Sequence, residues 1–170
     1  MNSSGRNIYN GSCRSLADIV DKAARSRMMS GIRGKDTAPE MIVRRGLHAR
    51  GFRFRLHDRK LPGRPDIVLP GRKAVIMVQG CFWHGHGCHL FRWPASRPDF
   101  WRAKISGNVE RDRQNALGLR TAGWRLLTVW ECALKGRERL PEDQVLAAIA
   151  SWLVDGNDEM EIRGISHGAC

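Results

Sequence analysis

Short apolar runs alternate with longer stretches of helical periodicity along this chain, and glycine or proline stands at nearly every change. Ser15 can cap a helix over about 16–30, with basic residues at Lys22, Arg25 and Arg27 and with Met28 and Met29 near its end. Residues 1–15 are polar and rich in Gly and Ser, so a disordered N-terminal tail is expected there, followed by an arm over about 16–36. Thr37-Ala38-Pro39-Glu40 has the form of a capping box with proline in the first turn, and Gly51 stops the helix it opens. From Phe52 to Leu56 apolar and basic residues alternate with period two, the signature of a half-buried strand. Asp66–Leu69 and Ala74–Val78 are short continuous apolar runs bounded by Pro and Gly, as central strands are.

After a loop, Ser96 and Pro98 open a long polar helix that runs to about Ala122 and is closed by Gly123. Trp124–Trp130 reads as another strand, and Pro141 opens a last helix to about Leu153. The stretch 154–170 reads as a frayed C-terminal tail. The order of helices and strands predicts one α/β domain over 16–153, without repeats or an internal boundary.

Charge adds direction to this picture. The net charge is +12, and it is uneven: residues 1–60 carry 14 basic and 5 acidic side chains, whereas 116–170 carry 6 and 8. A one-sided basic field attracts a polyanion, and nucleic acid is the usual one. No apolar run approaches the roughly 20 residues that span a bilayer, so no membrane association is expected. The five cysteines are odd in number and no positive-then-apolar leader opens the chain, which points to a reducing cytoplasm and to thiols used as metal ligands. Cys13 and Cys170 lie in the tails and read as incidental.

The densest chemistry lies in Gly80-Cys81-Phe82-Trp83-His84-Gly85-His86-Gly87-Cys88-His89. Cys81, His86 and Cys88, with the distant Cys132, could close a tetrahedral site of the kind structural zinc takes. His84 and His89 are alternative ligands, and buried free thiols packing as small hydrophobes would also account for the cysteines. Phe82 and Trp83 sit side by side in a glycine-bounded loop, where aromatics without a core position need a partner. Asp66 stands at the head of an apolar strand just after a proline, and the next strand ends at Val78. The Asp66 carboxylate and the Val78 backbone carbonyl could together hold Mg2+, which prefers oxygen ligands. A Pro-Asp pair alone fits a turn or a cap better than a metal site.

Four separated motifs occur in order: Leu61-Pro-Gly-Arg-Pro-Asp66, Gly80-Cys-Phe-Trp-His84, Asn108-Val-Glu-Arg-Asp112 and Trp124-Arg through Val129-Trp-Glu-Cys132. Together they resemble the very short patch repair (Vsr) endonucleases, with the match running from about Ala17 to Leu153. The resemblance implies a restriction-endonuclease-like core of the PD-(D/E)xK type, a mixed sheet flanked by helices, with catalytic Mg2+ and a loop stabilised by structural Zn2+. It implies that Asp66 binds the metal, that His84 activates water and that Asp112 accompanies the histidine. Glu40 would lie close to the metal, although it also completes the capping box. Cys81, His86, Cys88 and Cys132 match the zinc ligands, and Phe82, Trp83 and Trp101 match aromatics that wedge beside a mismatch. Met29 matches an arm residue inserted from the other groove.

Val78-Gln79 departs from the pattern, because the family commonly has histidine at the second position, and the superfamily's acid-x-lysine is missing from this strand. A carbonyl at 78 is indifferent to its side chain, but Gln79 cannot accept a proton as imidazole does. His84 is therefore the expected base.

The function expected from these readings is nicking of duplex DNA 5′ of the thymine in T:G mismatches left by 5-methylcytosine deamination. The enzyme would be a bacterial cytoplasmic monomer acting at the nucleoid, with other mismatch-repair proteins and a repair polymerase as further partners. Two rivals fit part of the pattern: a restriction-type nuclease acting on matched duplex, and a zinc-stabilised DNA-binding protein without catalysis.

Overall fold

A computed structural model describes residues 34–165. The expected tail over 1–15, most of the arm, Met29 and Cys170 lie outside the described residues. The elements are α1 (Ala38–Ala49), β1 (Arg55–Leu56), β2 (Ile67–Leu69), a 3-10 turn (Pro70–Arg72), β3 (Ala74–Gln79), α2 (Pro98–Thr121), β4 (Arg125–Trp130), α3 (Glu131–Leu134), α4 (Glu142–Asp155) and β5 (Glu159–Ile162). The five strands form one sheet in chain order. β1, β2 and β3 pair antiparallel, and β3, β4 and β5 pair parallel through the helical crossovers α2 and α4. The result is a mixed α/β architecture, as the sequence pattern predicts.

Period-two alternation sorts the sheet's side chains onto two covered faces. Ile67, Leu69, Ala74, Ile76, Leu127 and Val129 meet Val43 and Leu47 of α1 and Val145, Ile149, Trp152 and Leu153 of α4. Val68, Val75 and Leu126 face the other way and meet Leu119 of α2. A sheet covered on both faces needs continuous apolar strands, which is why β2 is buried at every position. The α1 cap forms as predicted: the Glu40 N–H donates to Thr37 Oγ1 at 3.4 Å and the Thr37 N–H donates to Glu40 Oε2 at 3.3 Å.

Two elements differ from the sequence reading. The strand expected over Phe52–Leu56 shrinks to Arg55 and Leu56, paired with Val68 and Ile67. Its partner β2 has only three residues, so the ladder ends early, and Phe52 and Phe54 pack their rings against the core instead. The stretch read as a frayed tail holds β5, in register with β4 from Leu126↔Glu159 to Val129↔Ile162. β5 alternates Glu159 and Glu161 with Met160, which is half-buried against the core, and Ile162, which is buried, so its period-two signal is only four residues long.

Candidate active site and metal centre

The loop after β3 is folded by its own backbone. The His84 N–H donates to the Gly80 carbonyl at 3.3 Å, His86 N–H to Cys81 at 3.0 Å and Cys88 N–H to His86 at 2.8 Å. Gly85 sits at φ 62°, and a Cβ there would meet Ile105 and Val109 of α2 at 3.1 and 3.2 Å. Such a turn lets the loop lie against the long helix and sends neighbouring side chains to opposite sides.

On one side, Cys81, His86, Cys88 and Cys132 bring their ligand atoms within 4.8 Å of one another. One tetrahedral ion with bonds of about 2.0–2.3 Å can bridge that span. Cys81 and Cys132 are buried and all three thiols are free. Their sulfurs accept backbone hydrogen bonds: Cys132 N–H donates to Cys81 Sγ at 3.3 Å, and Gly164 N–H to Cys132 Sγ at 3.4 Å. Burial pushes the Cys81 thiol well above its ordinary range; the Cys132 N–H opposes this and Cys88 adds to it. Burial likewise raises Cys132, against the Gly164 N–H, and lowers His86, against Glu161. A divalent cation would make clustered thiolates tolerable there, and its binding would release their protons. His86 stacks on Trp130 at 4.1 Å, and the Trp130 indole N–H donates to Glu161 of β5.

On the other side, His84 Nδ1 lies 2.5 Å from Asp112 Oδ2. The motif Asn108-Val-Glu-Arg-Asp112 now has a physical reading. Residues four apart share a helix face, and while Asp112 holds the His84 ring, Asn108 Nδ2 donates to the Trp83 carbonyl at 2.9 Å. One turn of α2 thus holds two successive residues of the loop. Asp66, at the mouth of β2, accepts the Val78 N–H through Oδ2 at 2.7 Å. The carboxylate therefore reaches the backbone of Val78 through its N–H. Burial raises the Asp66 pKa, and Val78 N–H, His57, Arg44 and His84 oppose the shift. A carboxyl so disposed gains from a nearby cation.

The aromatics form one cluster. Phe82 lies edge-on to Trp83 at 5.2 Å and to Trp101 at 5.4 Å, and Phe82 and Trp83 are half-buried whereas Trp101 is only 8% exposed. Trp101 is thus the floor of the cluster, the two loop residues lie half-buried on it, and Phe100 and Trp93, which the sequence reading did not single out, are its exposed members at 50% and 53%. Gln79 closes β3 opposite Trp130.

Glu40 is 2% exposed and in reach of a group the sequence reading missed. Arg44 NH2 donates to Glu40 Oε1, and Arg44 NH1 donates to Asp36 Oδ1 at 2.5 Å. His57 joins them, with Nε2 2.6 Å from Arg44 NH2. The i, i+4 spacing of Glu40 and Arg44 was a visible signal. Nothing local tied His57 to either.

The family profile described as DNA mismatch endonuclease Vsr matches residues 17–90. The DNA mismatch endonuclease Vsr of Escherichia coli (strain K12) is 47% identical over 138 residues, covering 81% of this chain and 88% of that protein. The Type II nicking enzyme V.XorIIP of Xanthomonas oryzae pv. oryzae is 47% identical over 119 residues, covering 70% and 88%. The Type II nicking enzyme V.NmeAIP of Neisseria meningitidis serogroup A is 44% identical over 129 residues, covering 74% and 92%. Relatedness at this level runs through both faces of the loop and the helix that holds it, and the chain belongs to the Vsr family of DNA mismatch endonucleases.

Proposed function

We propose that this endonuclease nicks one strand of duplex DNA 5′ of the thymine in a T:G mismatch, by Mg2+-dependent hydrolysis. The observation that carries the reading is the His84–Asp112 pair at 2.5 Å, with His84 on the same short loop as Cys81, His86 and Cys88 and near the Asp66 carboxylate. Asp112 accepts from Nδ1–H of His84, which leaves Nε2 free to take a proton from water as that water attacks phosphorus in line. Asp66 and the Val78 carbonyl would hold Mg2+, which supplies charge neutralisation at the scissile phosphate and at the leaving oxygen when bound. Cys81, His86, Cys88 and Cys132 would hold Zn2+ as a closed structural site that stiffens the base's own loop. The restriction-endonuclease-like assignment rests on the mixed sheet with its acid at the mouth of β2.

Phe82 and Trp83, backed by Trp101, form a ready wedge. A mismatched pair costs less to unstack than a matched one, so intercalation discriminates through deformability. The name of the Escherichia coli relative supports mismatch recognition and the names of the other two support nicking. Such a nick is the entry point for a repair polymerase. The test is a plasmid or oligonucleotide nicking assay comparing T:G with T:A duplex, with and without Mg2+. Cleavage confined to T:G with Mg2+ is expected. Equal cleavage of T:A would establish the matched-duplex nuclease instead, and DNA binding without any nicking would establish a binding protein.

A further inference from the structure

Glu40 and Arg44 are the buried charged residues among the described part of the chain, 2% and 7% exposed. Buried ion pairs contribute little net stability, because desolvation offsets their attraction. What this pair does contribute is geometry. Glu40 Oε2 is taken by the helix cap and Oε1 by Arg44. The same guanidinium nitrogen lies 2.6 Å from His57 Nε2. A guanidinium only donates hydrogen bonds, so Nε2 of His57 is the acceptor and the ring proton is on Nδ1. That Nδ1 is 3.8 Å from Asp66 Oδ1. The other Asp66 oxygen is already held by the Val78 N–H, so Oδ1 is the oxygen left open. A small rotation of ring or carboxylate brings the two within hydrogen-bond range.

The backbone prepares this approach. His57 adopts φ 49°, a left-handed conformation that histidine tolerates better than most side chains. Its N–H points back to the Asp66 carbonyl at 3.4 Å. Asp36, Glu40 and His57 could pass as a metal triad, since their ligand atoms fall within 4.8 Å. Arg44 contacts all three and supplies the positive charge itself, so the cluster is a scaffold.

We propose that His57 is a positioning residue for Asp66: Arg44, anchored on Glu40, fixes the tautomer whose Nδ1–H steers the open carboxylate oxygen toward the metal. This inference rests on the reading of Asp66 as the Mg2+ ligand. Groups that orient metal ligands typically contribute about 10- to 100-fold to metal affinity.

The experiment uses the full chain and Mg2+ itself, titrated calorimetrically, beside ¹⁵N NMR of the histidine rings and DNA binding without Mg2+. The expected results are a protonated Nδ1 on His57 and a Mg2+ affinity reduced about 10- to 100-fold in His57→Leu, with DNA affinity unchanged. His57→Gln should retain most of the Mg2+ affinity, because its amide can accept from Arg44 and donate toward Asp66. A general loss of packing would not be rescued in this way. The proton on Nε2, or a His57→Leu variant binding Mg2+ as wild type does while Asp66→Asn loses it, would overturn the inference alone. Wild-type Mg2+ binding by Asp66→Asn would overturn the reading beneath it as well.

Discussion

The two sides of the loop after β3 solve opposite problems. On the thiol side every ligand turns inward, two of the three cysteines are buried, and backbone N–H groups from α3 and from beyond β5 reach the sulfurs. On the carboxylate side the partners stay partly open: His84, Asp112 and Asp66 keep 27%, 28% and 20% of their side chains exposed. His84 and His86 are two residues apart and have the same chemistry, yet one faces an aspartate on α2 and the other a cysteine and an indole. Under the proposed mechanism, the contrast teaches how a loop could carry a base that must be placed accurately. Under that mechanism the closed side, with a metal bound, would hold the loop still, and the open side would use that placement.

The largest effect should come from breaking the closed side. Structural zinc contributes on the order of 10–16 kcal/mol in small peptides, comparable to the whole stability of a domain, about 5–15 kcal/mol. Cys132→Ser should therefore lose both metal and fold, read by elemental analysis and circular dichroism. Folded, active wild-type protein free of zinc would refute the assignment.

On the open side Asp66→Asn should abolish nicking with the fold intact, and it should make the Mg2+-free protein melt at a higher temperature near neutral pH. The sign follows from the burial that lifts Asp66 above its ordinary 3.8. A carboxyl whose folded value exceeds its unfolded one stabilises the fold while protonated and loses that contribution as pH rises through the folded value. Near neutrality the charge is a burden, and asparagine removes it while still accepting the Val78 N–H. An unchanged or lower melting temperature would contradict this account.

Exchanging the two imidazoles sharpens the comparison. His84→Ala should slow nicking about 100- to 10,000-fold and keep zinc, whereas His86→Ala should shed zinc. If His84→Ala sheds zinc and His86→Ala keeps it, the roles are reversed. A subtler strain on the closed side is Gly164→Ala, whose Cβ would meet the Cys132 and Glu138 carbonyls at 2.6 Å. It should cost about 1–3 kcal/mol, as overpacking does, and speed zinc release to a chelator. The smallest change expected is Gln79→His, below about tenfold in rate or roughly 1.4 kcal/mol, because Gln79 stands outside the His84–Asp112 pair. A larger effect would move proton transfer to position 79.

The thiol cluster was legible in the chain because three of its ligands lie within eight residues, a spacing local enough to read. The place of Asp66 before an apolar run fixed it at the head of a strand, but only the resemblance set it apart from a turn or cap aspartate. The capping box at Thr37 was legible too, and the structure forms it. The polar scaffold behind Asp66 was not, since Arg44 and His57 are 13 residues apart and meet only when α1 packs beside the start of β2. Asn108 lay inside a motif already noticed, and its spacing from Asp112 was the signal for two contacts from one helical turn.

What the sequence determined by itself is what short-range chemistry controls: helix caps and stops, apolar strands, the concentration of thiols and imidazoles in one loop, and a basic surface suited to DNA. Only the tertiary structure decided that residues 159–162 complete the sheet, because four alternating residues are a short pattern and it is the parallel pairing with β4 that fixes their place. The residues alone left His84 and His89 open as alternative thiol partners, and only the resemblance separated His84 from His86; the structure sets His84 against Asp112 of α2 and His86 against Cys132 of α3, because the sheet brings those two helices to opposite sides of the loop.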